Sequence, residues 1–106
     1  MIHYIYCYTN LVNNKKYVGQ TNNLERRKKQ HIQDSIHCHK GHEVSYNLPF
    51  HAAIRKYGIE NFNFEILQTI DTEDWSIVND LETQHIKKQQ SLAPNGYNLT
   101  AGGEAS

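Results

Sequence analysis

Little in this chain could staple, anchor or export it. Its 106 residues include two cysteines, two prolines, one methionine and one tryptophan. Cys7 falls in a strand-like stretch and Cys38 in a polar one. Such a pair offers no disulfide framework and favours a reducing compartment. No apolar run approaches the ~20 residues needed to cross a bilayer, and the N-terminus lacks the charged-then-apolar pattern of a secretory signal. Low-complexity tracts and internal repeats are absent as well. What remains is an apolar content of 38% with 21% charged residues, the balance of a folded domain rather than a disordered one. The length allows a single domain with a modest core, expected over residues 1–101 with a mobile tail at 102–106.

Net charge is missing too, since 11 Lys and Arg balance 11 Asp and Glu. The distribution is uneven. Six basic residues and one acid, Glu25, lie between Lys15 and Lys29, a local charge of +5, whereas residues 60–82 hold seven acids and no Lys or Arg. A basic segment of this kind suits a phosphate-rich partner, although an ordinary solvated helix face gives the same pattern. The zero total implies weak, salt-sensitive affinity for nucleic acid by this chain alone.

The most informative stretch runs from Tyr4 to His31. Residues 2–9 alternate, with Ile2, Tyr4, Tyr6 and Tyr8 on one side and His3, Ile5 and Cys7 on the other, as a strand does. Asn10 to Asn14 supplies turn residues and Lys16–Gly19 a second strand, which together read as a hairpin. Asn22 or Asn23 can cap a following helix from Leu24 to about Ile36, with Leu24, Ile32 and Ile36 as its buried stripe. Arg27 and His31 share one face of that helix, four residues apart. Two tyrosines on a hairpin beside Arg and His suggest a phosphate site.

The rest of the chain alternates helices with one strand. Residues 37–46 read as a polar loop. Asn47 is expected to cap a second helix, with Pro49 in its first turn and Gly58 stopping it. Phe62, Phe64 and Ile66, with Ile70 at the far end, alternate as a third strand. A third helix is expected from about Glu73 to Gln90, capped by Asp71 or Thr72, and Val78, Glu82 and Ile86 form an i, i+4 column on it. The motif Asn95-Gly-Tyr-Asn98 then makes a tight turn into a short extended Leu99-Thr100. The order ββ-α-α-β-α implies an α+β domain: a small, mainly antiparallel three-stranded sheet flanked by helices.

Tyr4-Ile5-Tyr6, Tyr17-Val18-Gly19, Arg27 with His31, Glu82 and Asn95–Asn98 occur in an order and at separations that resemble the GIY-YIG nuclease superfamily. Within it, the ending Gly96–Glu104 is similar to the catalytic domains of phage and intron-encoded homing endonucleases. Tyr4 stands where the first family glycine would be and Val18 where an isoleucine would be; neither position is expected to do chemistry. The resemblance implies the same α+β fold and a metal-dependent DNA endonuclease. One divalent cation, Mg²⁺ or Mn²⁺, would sit on Glu82, where an oxygen ligand leaves other positions to water and phosphate. Tyr17 would be the base that activates water and Tyr6 its partner, Arg27 would hold transition-state charge, His31 would relay a proton or hold the scissile phosphate, and Asn98 would orient the catalytic groups.

Each assignment has a plainer competitor. Strand tyrosines often only pack, Asn-Gly is ordinary turn chemistry, and Glu82 could be a boundary carboxylate that reaches solvent, since an unpaired one in an apolar column is expensive. Lys28 and Lys29 are expected to meet DNA as a charged surface, and His42 or His39 to supply a further histidine near the substrate. Residues 37–42 also admit zinc, though the ligands crowd together without the distant second pair of a closed site. The competing functions are a restriction- or repair-type nuclease of the same fold, a non-catalytic DNA-binding module, or a zinc-binding module. DNA is the expected partner, with no membrane, and a bacterial or phage-infected cytoplasm the expected location. The chain is expected to be either an isolated catalytic piece, complemented by a separate DNA-binding region of a longer parent protein, or a minimal stand-alone enzyme. Target sequence, number of strands cut and oligomeric state leave no trace in the sequence.

Overall fold

The structure is a computed structural model that describes residues 1–38, 40–41 and 43–102. Strand β1 (Ile2–Asn10) and strand β2 (Lys16–Thr21) form an antiparallel hairpin. Its connection is held by Asn10, whose side-chain oxygen accepts from Val12 N at 2.9 Å, and by Asn13, which accepts from Lys15 N at 2.9 Å. Asn14 takes the left-handed conformation (φ 64°) that asparagine tolerates better than most residues. Helix α1 (Leu24–Ile36) follows, capped by Asn23, whose side chain accepts from Arg26 N.

Strand β3 (Phe62–Asp71) pairs with the free side of β1, giving the sheet order β2-β1-β3, antiparallel throughout. The central strand is therefore buried on both faces, and its alternation sorts two cores. Tyr6 and Tyr8 join Phe50, Ala53, Ile54, Phe62 and Tyr97 on one face, where α1 and helix α3 (Pro49–Tyr57) pack. Ile5 and Cys7 join Val18, Val78 and Ile86 on the other, under helix α4 (Trp75–Gln89).

The expected α+β order holds, with a one-turn helix α2 (Glu43–Tyr46) and a 3-10 turn (Ile59–Asn61) added. Several details differ. The buried face of α1 is polar: His31, Asp34 and Ser35 are inside, while Ile36 is 60% exposed and Leu24 and Ile32 are half-buried. The stripe is rotated because hydrogen-bonded partners make burial of these polar groups tolerable. In β3 the pairing slips between Ile5 and Tyr6, so Leu67 and Ile70 pack with the α4 core while Phe62 and Phe64 pack with the α3 core. Such a bulge breaks a strict alternation.

Caps shift as well. Leu48 is the N-cap of α3, without a side-chain bond, and Asn47 instead closes α2 by donating to the Glu43 carbonyl at 2.8 Å. Asp74 caps α4, with Thr72 accepting from Asp74 N one step earlier. The last extended pairing is Leu92 with Asn98 rather than Leu99-Thr100, which bend. The expected tail falls largely on residues 103–106, outside the described residues, as do His39 and His42.

Candidate active site

Topology brings Tyr17, Glu82 and Asn98 to one edge of the sheet, with Tyr6, Arg27 and His31 grouped behind Tyr17. β2 is an outer strand, so its backbone toward solvent lacks a strand partner. Tyr17 projects from its α3-side face, opposite Tyr8 in register, and Tyr6 lies opposite Gly19. Glu82 comes from α4 on the other face. Asn98 meets the edge itself: its side-chain oxygen accepts from Val18 N at 2.9 Å and its amide donates to Val18 O at 2.8 Å. One side chain thus mimics a strand residue and fixes the segment that carries Tyr17. A cavity of about 250 Å³ wraps around this edge, lined among others by Tyr17, Glu82, Asn98, Tyr97, Ile86 and Thr100.

The two tyrosines differ in access. Tyr6 is 1% exposed, whereas Tyr17 is half-buried and lines the cavity with its ring stacked on Phe50 (centroids 4.3 Å apart, planes at 3°). The Tyr6 hydroxyl points inward to His31 Nε2 at 2.7 Å. Burial pushes both phenols above the ordinary tyrosine range, Tyr6 the further of the two, and Arg27 between them opposes the shift. Neither is a tyrosinate at rest. Tyr8, also buried, is pushed up to about 12 and faces the same ring cluster.

Arg27 is half-buried and lies against both hydroxyls. One terminal nitrogen donates to Gln30 at 3.1 Å, while its buried Nε–H makes no hydrogen bond. The guanidinium is thus a fixed positive charge set beside two phenols. Lys28, next along the helix, is directed elsewhere: its ammonium sits 3.9 Å from the Phe64 ring centroid, and Lys29 is exposed.

His31 is buried, and burial holds it neutral, its pKa lowered to about 2, with Arg27 and His51 adding to the shift. Its second ring nitrogen meets His51 Nε2 at 2.8 Å. His51, on α3, is absent from the sequence-level expectations. Its signal was there: a histidine between Phe50 and Ile54 on a helix whose apolar face must be inside. Gln20 is the other omission. Its amide donates to Glu82 Oε1 at 3.2 Å and to Asn79 at 2.8 Å, so the carboxylate has a positioned partner.

Glu82 itself is 6% exposed between Val78 and Ile86, as the column on α4 requires. Among the described residues no group of three or more His, Cys, Asp or Glu side chains converges as a metal cage. A cation there would rely on one carboxylate plus water and phosphate oxygens, the coordination that Mg²⁺ accepts. His37 and Cys38 are exposed, and both cysteines are free.

The model of the GIY-YIG catalytic domain matches residues 2–98. The chain belongs to the GIY-YIG family. Among relatives of this family, "Putative endonuclease segB" of Enterobacteria phage T4 is 34% identical over 106 residues, covering 98% of this chain and 40% of that protein. "Putative endonuclease segE" of the same phage is 30% identical over 103 residues, covering 97% of this chain and 43% of its own. The chain therefore spans about two fifths of the length of these relatives. A mutant of the catalytic domain of intron endonuclease I-TevI superposes with a TM-score of 0.76 at 29% identity, covering 96% of this chain and 97% of that one. A second structure, the catalytic domain of homing endonuclease I-TevI, gives 0.71 at 31% identity, over 92% and 98%.

At the two departures from the family triplets, Tyr4 is half-buried on β1 and Val18 packs in the α4 core. Among the described residues, no helix is long and apolar enough to cross a membrane.

Proposed function

We propose that this GIY-YIG domain is the DNA-cleaving part of a homing-endonuclease-like enzyme, hydrolysing a phosphodiester bond with one divalent cation and a tyrosine-activated water. The observation that carries the reading is the hydrogen bond of 2.7 Å between Tyr6 and His31, behind a Tyr17 that faces the same cavity as Glu82. A cavity-facing phenol, backed by a second phenol that a buried imidazole holds in place and set next to a buried carboxylate, supplies the parts of a hydrolytic site.

A phosphate beside Tyr17 would feel the charge of Arg27, which lies against that phenol and stabilises the additional negative charge of the transition state. Tyr17 takes a proton from the attacking water. Because neither phenol is ionised at rest, Tyr17 can do so only as its own hydroxyl proton leaves toward the cavity, while Tyr6, held by His31, orients it and Arg27 stabilises the phenolate that forms. Glu82 would hold Mg²⁺ or Mn²⁺, which when bound supplies charge stabilisation at the leaving 3′ oxygen. Asn98 keeps β2 in place. Lys28 and Lys29 add a charged surface along α1, and a DNA-binding region elsewhere in a longer protein would supply the remaining affinity.

Incubating the protein with supercoiled plasmid and Mg²⁺ or Mn²⁺, with and without EDTA, tests the proposal. Nicked and then linear DNA should form only with free divalent cation, and Glu82→Gln should abolish the conversion without lowering the melting temperature appreciably. Absence of cleavage under all metal conditions, or near-normal nicking by Glu82→Gln, would overturn it.

A further inference from the structure

His31 is not the end of the hydrogen-bond chain that starts at Tyr6. His31 Nδ1 lies 2.8 Å from His51 Nε2, and His51 Nδ1 lies 2.6 Å from the Ser45 carbonyl oxygen. The Ser45 hydroxyl is in turn anchored, donating to Asp34 Oδ2 at 2.8 Å. A carbonyl oxygen can only accept, and this one decides the direction of every bond before it. His51 Nδ1 must carry a proton, so a neutral His51 presents a bare Nε2. His31 Nδ1 must then donate to it, which leaves His31 Nε2 bare and facing the Tyr6 hydroxyl. Reading outward, each group donates to the next: Tyr6 to His31, His31 to His51, His51 to Ser45.

We infer that His51 is a positioning residue of the reaction: seated between the Ser45 carbonyl and His31, it holds His31 in the tautomer that accepts the Tyr6 hydrogen bond and so fixes the direction in which that hydroxyl points. Without it the His31 imidazole has no reason to keep its proton on Nδ1. The other tautomer would donate to Tyr6 and reverse that bond. Such tautomer control by a second group is a general device for histidine. The His51 ring is itself fixed by burial and by contact with the rings of His31 and Phe50. Its surroundings keep it neutral: burial lowers its pKa and Arg27 and Arg55 add to this, while Asp34 and the Ser45 carbonyl oppose them. The catalytic consequence rests on the nuclease reading above, but the tautomer does not.

The test therefore has two arms. Nitrogen-15 NMR of the histidine rings in the uncleaved, DNA-free protein at neutral pH should show His31 protonated on Nδ1 and bare on Nε2. His51→Phe keeps a ring of similar size but removes the acceptor, and His31 should shift toward the other tautomer. His51→Gln, whose side-chain oxygen can accept from His31, should restore it. A wild-type His31 with its proton on Nε2, or one unchanged by His51→Phe, overturns the inference whether or not the protein cleaves DNA. In single-turnover cleavage, His51→Phe should lower the rate by about 10²-fold, within the range of lost acid–base help, with DNA affinity unchanged. His51→Gln should recover to within about tenfold of wild type. Equal losses in the two variants would mean that His51 serves only the fold, again overturning the positioning role. If His51→Phe fails to fold, the wild-type tautomer and the His51→Gln rate decide the matter alone.

Discussion

Gly19 lies against Tyr6 so closely that a β-carbon placed on it would fall 2.5 Å from the Tyr6 hydroxyl oxygen and 2.6 Å from Cζ. The two residues are partners across the β1–β2 ladder. The glycine of the second triplet is thus there for space, and the space is used by the phenol that bonds to His31.

Gly19→Ala should therefore act on stability and chemistry together. The Tyr6 ring is buried and held at its hydroxyl, so the methyl group cannot be accommodated by a simple swing. Overpacking of this kind costs about 1–3 kcal/mol, to be read from urea unfolding. The single-turnover cleavage rate should fall as well, since the Tyr6–His31 bond must lengthen. A variant with unaltered stability and rate would show that the sheet relaxes freely at this edge.

How much of this was legible in the sequence depends on which kind of force shaped each element. The hairpin and its tyrosines follow from alternation and asparagine-rich turn chemistry, which are local. Glu82 was legible because a carboxylate in the column Val78–Ile86 contradicts its surroundings. The face of α1 was not, because Ile32 and Ile36 look more buried than His31, Asp34 and Ser35 until Ser45 and His51 arrive as partners from distant positions. The slip in β3 has no local signal either: it is decided by which core receives Leu67 and Ile70. For His51 the sequence carried one local signal, its place on the inward face of α3, but not its role, because its partners come from α1 and α2.

Neighbouring basic residues on α1 should separate cleanly. Arg27→Ala removes the charge beside both phenols and should raise the barrier by about 2.7–4 kcal/mol, the scale of a lost oxyanion donor. Lys28→Ala removes an ammonium that lies over Phe64 and should only weaken the salt-sensitive encounter with DNA. The comparison is made on single-turnover rates with saturating DNA at low salt. Equal losses for the two would demote Arg27 to part of a basic patch.

Acid should destabilise the domain earlier than carboxylate protonation would. His31 and His51 both have folded-state pKa values below the ordinary 6.5, His31 down to about 2. The unfolded chain therefore binds protons that the folded chain refuses. Stability is complete above about pH 6.5 and is lost as pH falls below it, by about 1.4 kcal/mol per unit for each fully neutral buried histidine. For His31 the loss should continue toward its low folded value. Urea unfolding at about pH 7, 6 and 5 measures the slope, and His51→Gln should reduce it. A stability that is flat across that window would mean that the two imidazoles are hydrated in solution.

The tyrosines should divide according to their access to the cavity. Tyr17→Phe removes the hydroxyl that would meet the attacking water in the proposed mechanism while keeping the ring that stacks on Phe50, so stability should change little. The single-turnover rate should drop by about 10²–10⁴-fold, as for a lost general base. Tyr6→Phe removes a buried hydroxyl that in the proposed mechanism only orients Tyr17, so its rate should fall less, while His31 loses its donor and the fold is modestly destabilised. The double variant should lose much less than the product of the single effects if both hydroxyls act on the same water. In wild type the rate should rise with pH, since burial holds both phenols protonated through neutrality and any gain in ionisation speeds removal of the water's proton. A Tyr17→Phe enzyme with the wild-type rate and pH profile would move the base to Tyr6 or His31. Independent single effects, multiplying in the double variant, would show that the two hydroxyls do not act on one water.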